Sequence, residues 1–203
     1  MEKVIIDTCF LNRFKRGSGL EDDFGLLMKE MDYEILIHPY IREYELDMFY
    51  YVDEYIDKGI LKNVSYEDFL FNDFEKRYYR DIFIEIYNEF CERQQKLNPV
   101  KAKKMKKLDQ DTDVFKIRRS GASIGDVHII LLALFEDISI ILSEDNKDMI
   151  EIYKIASKRM ERDGYHLRIY KVKNVIESLE KRDNCNISGK VLRRLKRAYC
   201  KSI

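Results

Sequence analysis

The stretch that most limits what this chain can fold into is GDVHIILLALFEDISIILSEDNKD, residues 125–148. From Val127 to Phe135 every residue except His128 is apolar, so a helix here would be covered around most of its circumference. Ile138 to Leu142 is a short, isoleucine-rich run that stops at Ser143-Glu144-Asp145-Asn146, as a parallel strand buried on both faces would. A hidden helix followed by a hidden strand needs layers on each side and points to an α/β fold. Asp126 opens the helix and Asp145 follows the strand, at the sheet edge where open α/β folds bind ligands. Asp145 and Asn146 are equally suited to cap the next helix.

Other junctions repeat the pattern. Val4-Ile5-Ile6 reads as a buried strand ending in Asp7-Thr8, before the new apolar run Phe10-Leu11. Tyr33 to Ile37 reads as a strand that stops at His38-Pro39, where proline suits the first turn of a helix starting at Tyr40-Ile41. That helix carries Glu43 and Glu45 and is expected to run towards Tyr55, ending near Gly59. Further helices are expected over Asp22–Met31, from Met149 to Met160, over Val175–Lys181 and over Ser188–Tyr199, with a strand at Leu167–Val172. The reading is a single domain over residues 1–203, a three-layer α/β/α arrangement around a central parallel sheet of four or five strands.

The strings IIDTCFLNRF, IHPYIREYEL and GDVHIILLALFEDISIILSEDNKD resemble the PIN domain, a family of metal-dependent nucleases, over about residues 1 to 50 and 120 to 180. By position in those motifs, the resemblance implies that Asp7, Glu45, Asp126 and Asp145 are the catalytic and metal-binding acids. Glu43 also fits the second place, although Glu45 has Leu46 after it as the family's Glu-Leu pair does; Asp148 replaces Asp145 if the loop is shifted by one turn. The resemblance further implies Mg²⁺ or Mn²⁺ as cofactor and single-stranded RNA as substrate. A toxin role with an antitoxin or other protein partner, and a homodimer, are compatible with it. Compact members of the family lack a segment like residues 60 to 120, which reads as an inserted helical arm or lid.

Within that segment Ser65 reads as an N-cap, with Asp68 three residues on, opening a helical run to about Leu97. Its aromatic series Phe69, Phe71, Phe74, Tyr78, Tyr79, Phe83, Tyr87 and Phe90 fits helix packing better than base stacking. With 37 basic and 37 acidic side chains the net charge does not announce a polyanion partner. Basic runs at Lys101–Lys107, at Lys116 to Arg119 and in the C-terminal helix of about 188–201, with Arg193, Arg194, Lys196 and Arg197, are either solvated faces or phosphate contacts. Cys9, Cys91, Cys185 and Cys200 are scattered, which argues for reduced thiols and against zinc or an iron–sulfur centre. No apolar run approaches 18 residues and no cleavable leader is visible, so a cytoplasmic protein without a membrane span is expected.

Four clustered carboxylates repel one another unless a cation neutralises them, and oxygen donors select hard ions. The expected chemistry is therefore metal-assisted phosphodiester hydrolysis, with Thr8 and Ser143 available to hydrogen-bond the ligands or the phosphate. His128 reads as a satisfied core residue rather than a general base. A haloacid-dehalogenase phosphatase would need an acid where Cys9 stands, and the paired acids and late lysine of a receiver domain form no clear pattern. The alternative is a PIN-like fold without catalysis, serving as a nucleic-acid-binding or protein-interaction module.

Overall fold

A computed structural model describes residues 1–14, 21–47, 49–103, 105–118, 123–162 and 164–200. The chain alternates strands and helices: β1 (Glu2–Ile6), α1 (Thr8–Leu11), α2 (Glu21–Met31), β2 (Tyr33–Ile37), α3 (Pro39–Tyr44), α4 (Tyr50–Asp57) and β3 (Leu61–Asn63). It continues with α5 (Asp73–Leu97), α6 (Pro99–Ala102), α7 (Ile124–Phe135), β4 (Ile140–Leu142), α8 (Lys147–Arg159), β5 (Arg168–Tyr170), α9 (Val172–Glu180) and α10 (Gly189–Tyr199). All strand pairs are parallel, in the order β3-β2-β1-β4-β5, and helices flank the sheet in an α/β/α arrangement.

The apolar runs dictate the centre. Val4, Ile5, Ile6, Ile141 and Leu142 are fully buried, and Ile5 lies between Leu36 and Ile141 in the ladder. Burying each such side chain contributes about 1.5–3 kcal/mol. The chain runs outward from β1 to β3 on one side, then returns to β4 and runs outward to β5 on the other. The β1/β4 junction is thus the point where strand order reverses, and a crevice opens there beyond the carboxyl ends.

α7 is buried along its length except at Asp126 and Phe135, and it packs against α5 and α8. The stretch expected as an arm therefore supplies core: Tyr79, Phe83, Tyr87 and Phe90 of α5 are wholly buried, whereas Phe71 and Phe74 are exposed. It also begins with the edge strand β3, paired to β2. Ser65 does form a capping box with Asp68, but this opens only a short 3-10 turn, Tyr66–Asp68. The long helix starts at Asp73, where the Asn72 side chain accepts from the backbone N–H of Glu75.

The helix expected to run unbroken from Pro39 to Tyr55 is interrupted. Leu46 N–H bonds to the Ile41 carbonyl, Phe49 N–H bonds to that of Leu46, and α4 restarts at Tyr50. Glu45 consequently sits at the C-cap of α3 rather than inside a helix.

Candidate metal centre

Asp7 continues the ladder past β1, its N–H bonding to the Leu142 carbonyl at 2.9 Å, and its own carbonyl starts α1. The carboxylate is not spent on capping. It turns to the β4 side, where Ser143 Oγ lies 2.8 Å and Cys9 Sγ 2.6 Å from Oδ2. Cys9 in turn accepts from the backbone N–H of Glu144 at 3.1 Å and Asp145 at 3.4 Å. A thiol thus ties β1 to the turn after β4, a role that the sequence reading did not assign to Cys9. Its only sequence signal is its place two residues after Asp7. Burial and the Asp7 charge push this thiol up to about 12, so at neutral pH it is a hydrogen-bond donor and not a nucleophile.

Glu45 reaches the same crevice from α3, where Thr8 Oγ1 donates to its Oε2 at 2.6 Å. Glu43 is exposed and turned towards Tyr44. Asp126 lies in the first turn of α7, hydrogen-bonded to Ser123, a residue held in the left-handed region at φ 54°. Asp145 is exposed at the mouth, with Oδ1 accepting from the Lys147 N–H at 3.2 Å, so it also serves the turn into α8. Asp148 accepts from Ser123 Oγ at 2.8 Å and links α8 to the start of α7.

The electrostatics are one-sided. Asp7 is raised above the ordinary carboxylate value by burial, against the lowering by Cys9 and Ser143, with a further push from Asp145. Glu45 is raised by burial and then by Asp7, and Asp126 is pushed up to about 7 by burial and then by Asp7, Glu45 and Asp145. The side chains are near enough to oppose each other's ionisation. Yet among the described residues no three His, Cys, Asp or Glu side chains stand together in a way that could hold a metal ion as they are.

Behind the crevice lies a closed polar chain. His128 Nε2–H donates to the Val114 carbonyl at 3.1 Å, Tyr79 O–H donates to His128 Nδ1 at 2.7 Å, and His38 reaches the Tyr79 oxygen at 3.3 Å. His38 Nδ1 accepts the Tyr40 N–H at 3.0 Å, which makes the direction of every proton unambiguous. Burial lowers His128 to about 3, so it is a neutral, satisfied core residue.

The expected basic contacts are partly engaged elsewhere. Lys107 pairs with Glu92 at 2.5 Å, Lys116 with Asp113 at 3.8 Å and Lys196 with Glu180 at 2.5 Å, and Arg194 grips buried Asp23 with both terminal nitrogens. Lys104, Arg119, Lys201 and the side chain of Lys101 lie outside the described residues. A cleft of about 540 Å³ between α5 and α8 contains Glu85, Glu89, Glu92, Arg93, Lys107 and Arg159, and Arg159 pairs with both Glu85 and Glu89. No helix among the described residues is long and apolar enough to cross a membrane. The sequence matches no protein-family model and no curated protein.

Proposed function

We propose that the chain is a PIN-like, metal-dependent nuclease that hydrolyses RNA phosphodiesters, with Asp7, Glu45 and Asp126 as ligands of Mg²⁺ or Mn²⁺ and Asp145 at the mouth. The observation that carries this reading is the set of carboxylates at the strand-order reversal: Asp7, Glu45 and Asp126 are each raised first by burial, and then by Asp145 for Asp7, by Asp7 for Glu45, and by Asp7, Glu45 and Asp145 for Asp126. Such a set is costly unless a cation answers it. All four donors are hard oxygens, which fits a hard divalent ion; the ligand arrangement itself requires side-chain movement from the positions seen. When bound, the ion would supply an activated water and charge stabilisation at the phosphoryl and leaving oxygens.

The chain's own residues do the holding. Cys9 and Ser143 hold one oxygen of Asp7, the Thr8 backbone adds a further hydrogen bond to that carboxylate, and the Thr8 hydroxyl holds one oxygen of Glu45. His128 is sealed away and takes no proton from water.

A second reading has its own observation. The absence of a ready-made donor group among the described residues favours a PIN-like binding module whose acids hold no metal. Calorimetric titration with Mn²⁺, paired with cleavage of a single-stranded RNA, separates the two. The nuclease reading expects uptake and cleavage, both lost in Asp126→Asn, with kcat/KM falling at least about a thousandfold, as for removal of a group acting in the transition state. No uptake, or equal cleavage by purified Asp126→Asn, rejects it.

A further inference from the structure

Gly125 stands inside the first turn of α7, where glycine is a poorer helix former than alanine. Its backbone does not need glycine, since Gly59 is the described glycine with positive φ. Space needs it. A Cβ added at Gly125 would lie 2.2 Å from Glu45 Oε1, 3.2 Å from Glu45 Cδ and 2.8 Å from Ile41 Cδ1. The first distance is far inside van der Waals contact, so a methyl group and this carboxylate cannot occupy the place together.

The other oxygen of Glu45 is held by Thr8 at 2.6 Å. One oxygen of the carboxylate is thus held by a hydroxyl from the end of β1, and the other occupies the space that a side chain at Gly125 would fill. Asp126 follows directly in the chain and feels the Glu45 charge. We propose that Gly125 is a positioning residue: the side chain it lacks is the seat of the Glu45 carboxylate, and that seat keeps Glu45 beside Asp126. The seat follows from geometry alone; its use in ligand positioning rests on the nuclease reading.

A double-mutant cycle in urea tests the seat without any activity. Gly125→Ala is made in the wild type and in Glu45→Ala, and the two midpoint shifts are compared. Ile41 is met in both backgrounds, so the difference isolates the carboxylate. The expected result is an upward midpoint shift in the Glu45→Ala background that is absent or reversed in the wild type. Equal shifts overturn the seat. If Gly125→Ala folds only where Glu45 is absent, the seat is supported; if it folds in neither background, the seat is overturned. Mn²⁺ titration of Gly125→Ala supplies the second readout, with affinity expected to fall at least about tenfold, the size seen when support of a metal ligand is lost. Wild-type affinity in that variant overturns the positioning role. No uptake by the wild type rejects the nuclease reading instead, and the midpoint comparison then decides the seat by itself.

Discussion

Asp23 is a buried acid and Asp126 a partly buried one in the same fold, and they are treated oppositely. Asp23, on α2, receives both terminal nitrogens of Arg194 from α10 and lies 3.5 Å from the Tyr199 hydroxyl; its charge raises Arg194 in return. Asp126 faces Asp7, Glu45 and Asp145. The first site is complete, because the chain supplies its own cation and so joins the C-terminal helix to the core. At the second, no ion pair to Asp126 is seen among the described residues, and in the nuclease reading a metal ion is its positive partner. Buried charge with an internal partner holds a fold together, whereas carboxylates raised by burial and by one another mark a candidate binding site.

Removing charge at the two places should therefore have opposite signs. Arg194→Ala strands the Asp23 carboxylate and should cost about 3 kcal/mol, at the low end of the range for a broken buried pair because the arginine itself is half exposed. Asp126→Asn keeps the shape and removes the repulsion, and should stabilise by about 2 kcal/mol at pH 8 without metal. Urea unfolding of both variants measures this. Destabilisation by Asp126→Asn of the same size as by Arg194→Ala would erase the contrast.

The pH dependence sharpens it. The ordinary value of 3.8 for Asp126 rises to about 7 in the fold, so between those values the folded state holds a proton that the unfolded chain has released. Stability contributed by this group is thus present at low pH and lost as pH rises from about 4 to about 7, by about 2–4 kcal/mol. Asp7 and Glu45 are raised too and add to the same direction. The gain from Asp126→Asn should vanish below pH 4, and Mn²⁺ should restore wild-type stability at pH 8 while leaving the variant unmoved. A wild type that grows steadily more stable from pH 4 to pH 8 without metal would contradict the repulsion.

How far the sequence carries the fold depends on what each segment buries. β1, β2 and β4 were legible because they are central and apolar, and Asp7 and Asp145 follow from where those strands end. β3 was not: it is an edge strand of three residues with Leu61 alone buried, so Leu61-Lys62-Asn63 carries no apolar run. The break after Tyr44 was invisible for another reason. Ile41, Val52 and Tyr55 are all buried and would share one face of an unbroken helix, so periodicity alone does not mark the interruption. The aromatic series on α5 carried its bland meaning, since packing against α7 uses the same side chains that base stacking would. Two of the basic pairings were illegible because their partners are distant in sequence: Arg194 meets Asp23 only once α10 docks on α2, and Lys107 meets Glu92 only once its loop folds back on α5.

The same contrast between answered and unanswered charge selects the smallest effect. Among the described residues Arg118 has no carboxylate partner, unlike Lys107, Lys196 and Arg194. Its guanidinium lies 4.5 Å from the centroid of the Tyr44 ring, and the adjacent Ile117 carbonyl is fixed by the Tyr40 hydroxyl at 2.9 Å. Tyr40 feels the charges of both Glu45 and Arg118, which places this cation beside the carboxylate crevice. A guanidinium stacked on one ring keeps donors for a phosphate and is partly preorganised. In the nuclease reading Arg118→Gln should raise KM a few fold with kcat unchanged, because a phosphate held equally in ground and transition states affects binding alone. The slope of log affinity against log salt should fall by about 0.7, one phosphate on a single strand. Lys196→Gln, whose lysine is already paired with Glu180, should change neither quantity. An unchanged slope in Arg118→Gln would remove this arginine from the path of the substrate, and an equal fall in both variants would mean that the measurement reports overall charge rather than a contact.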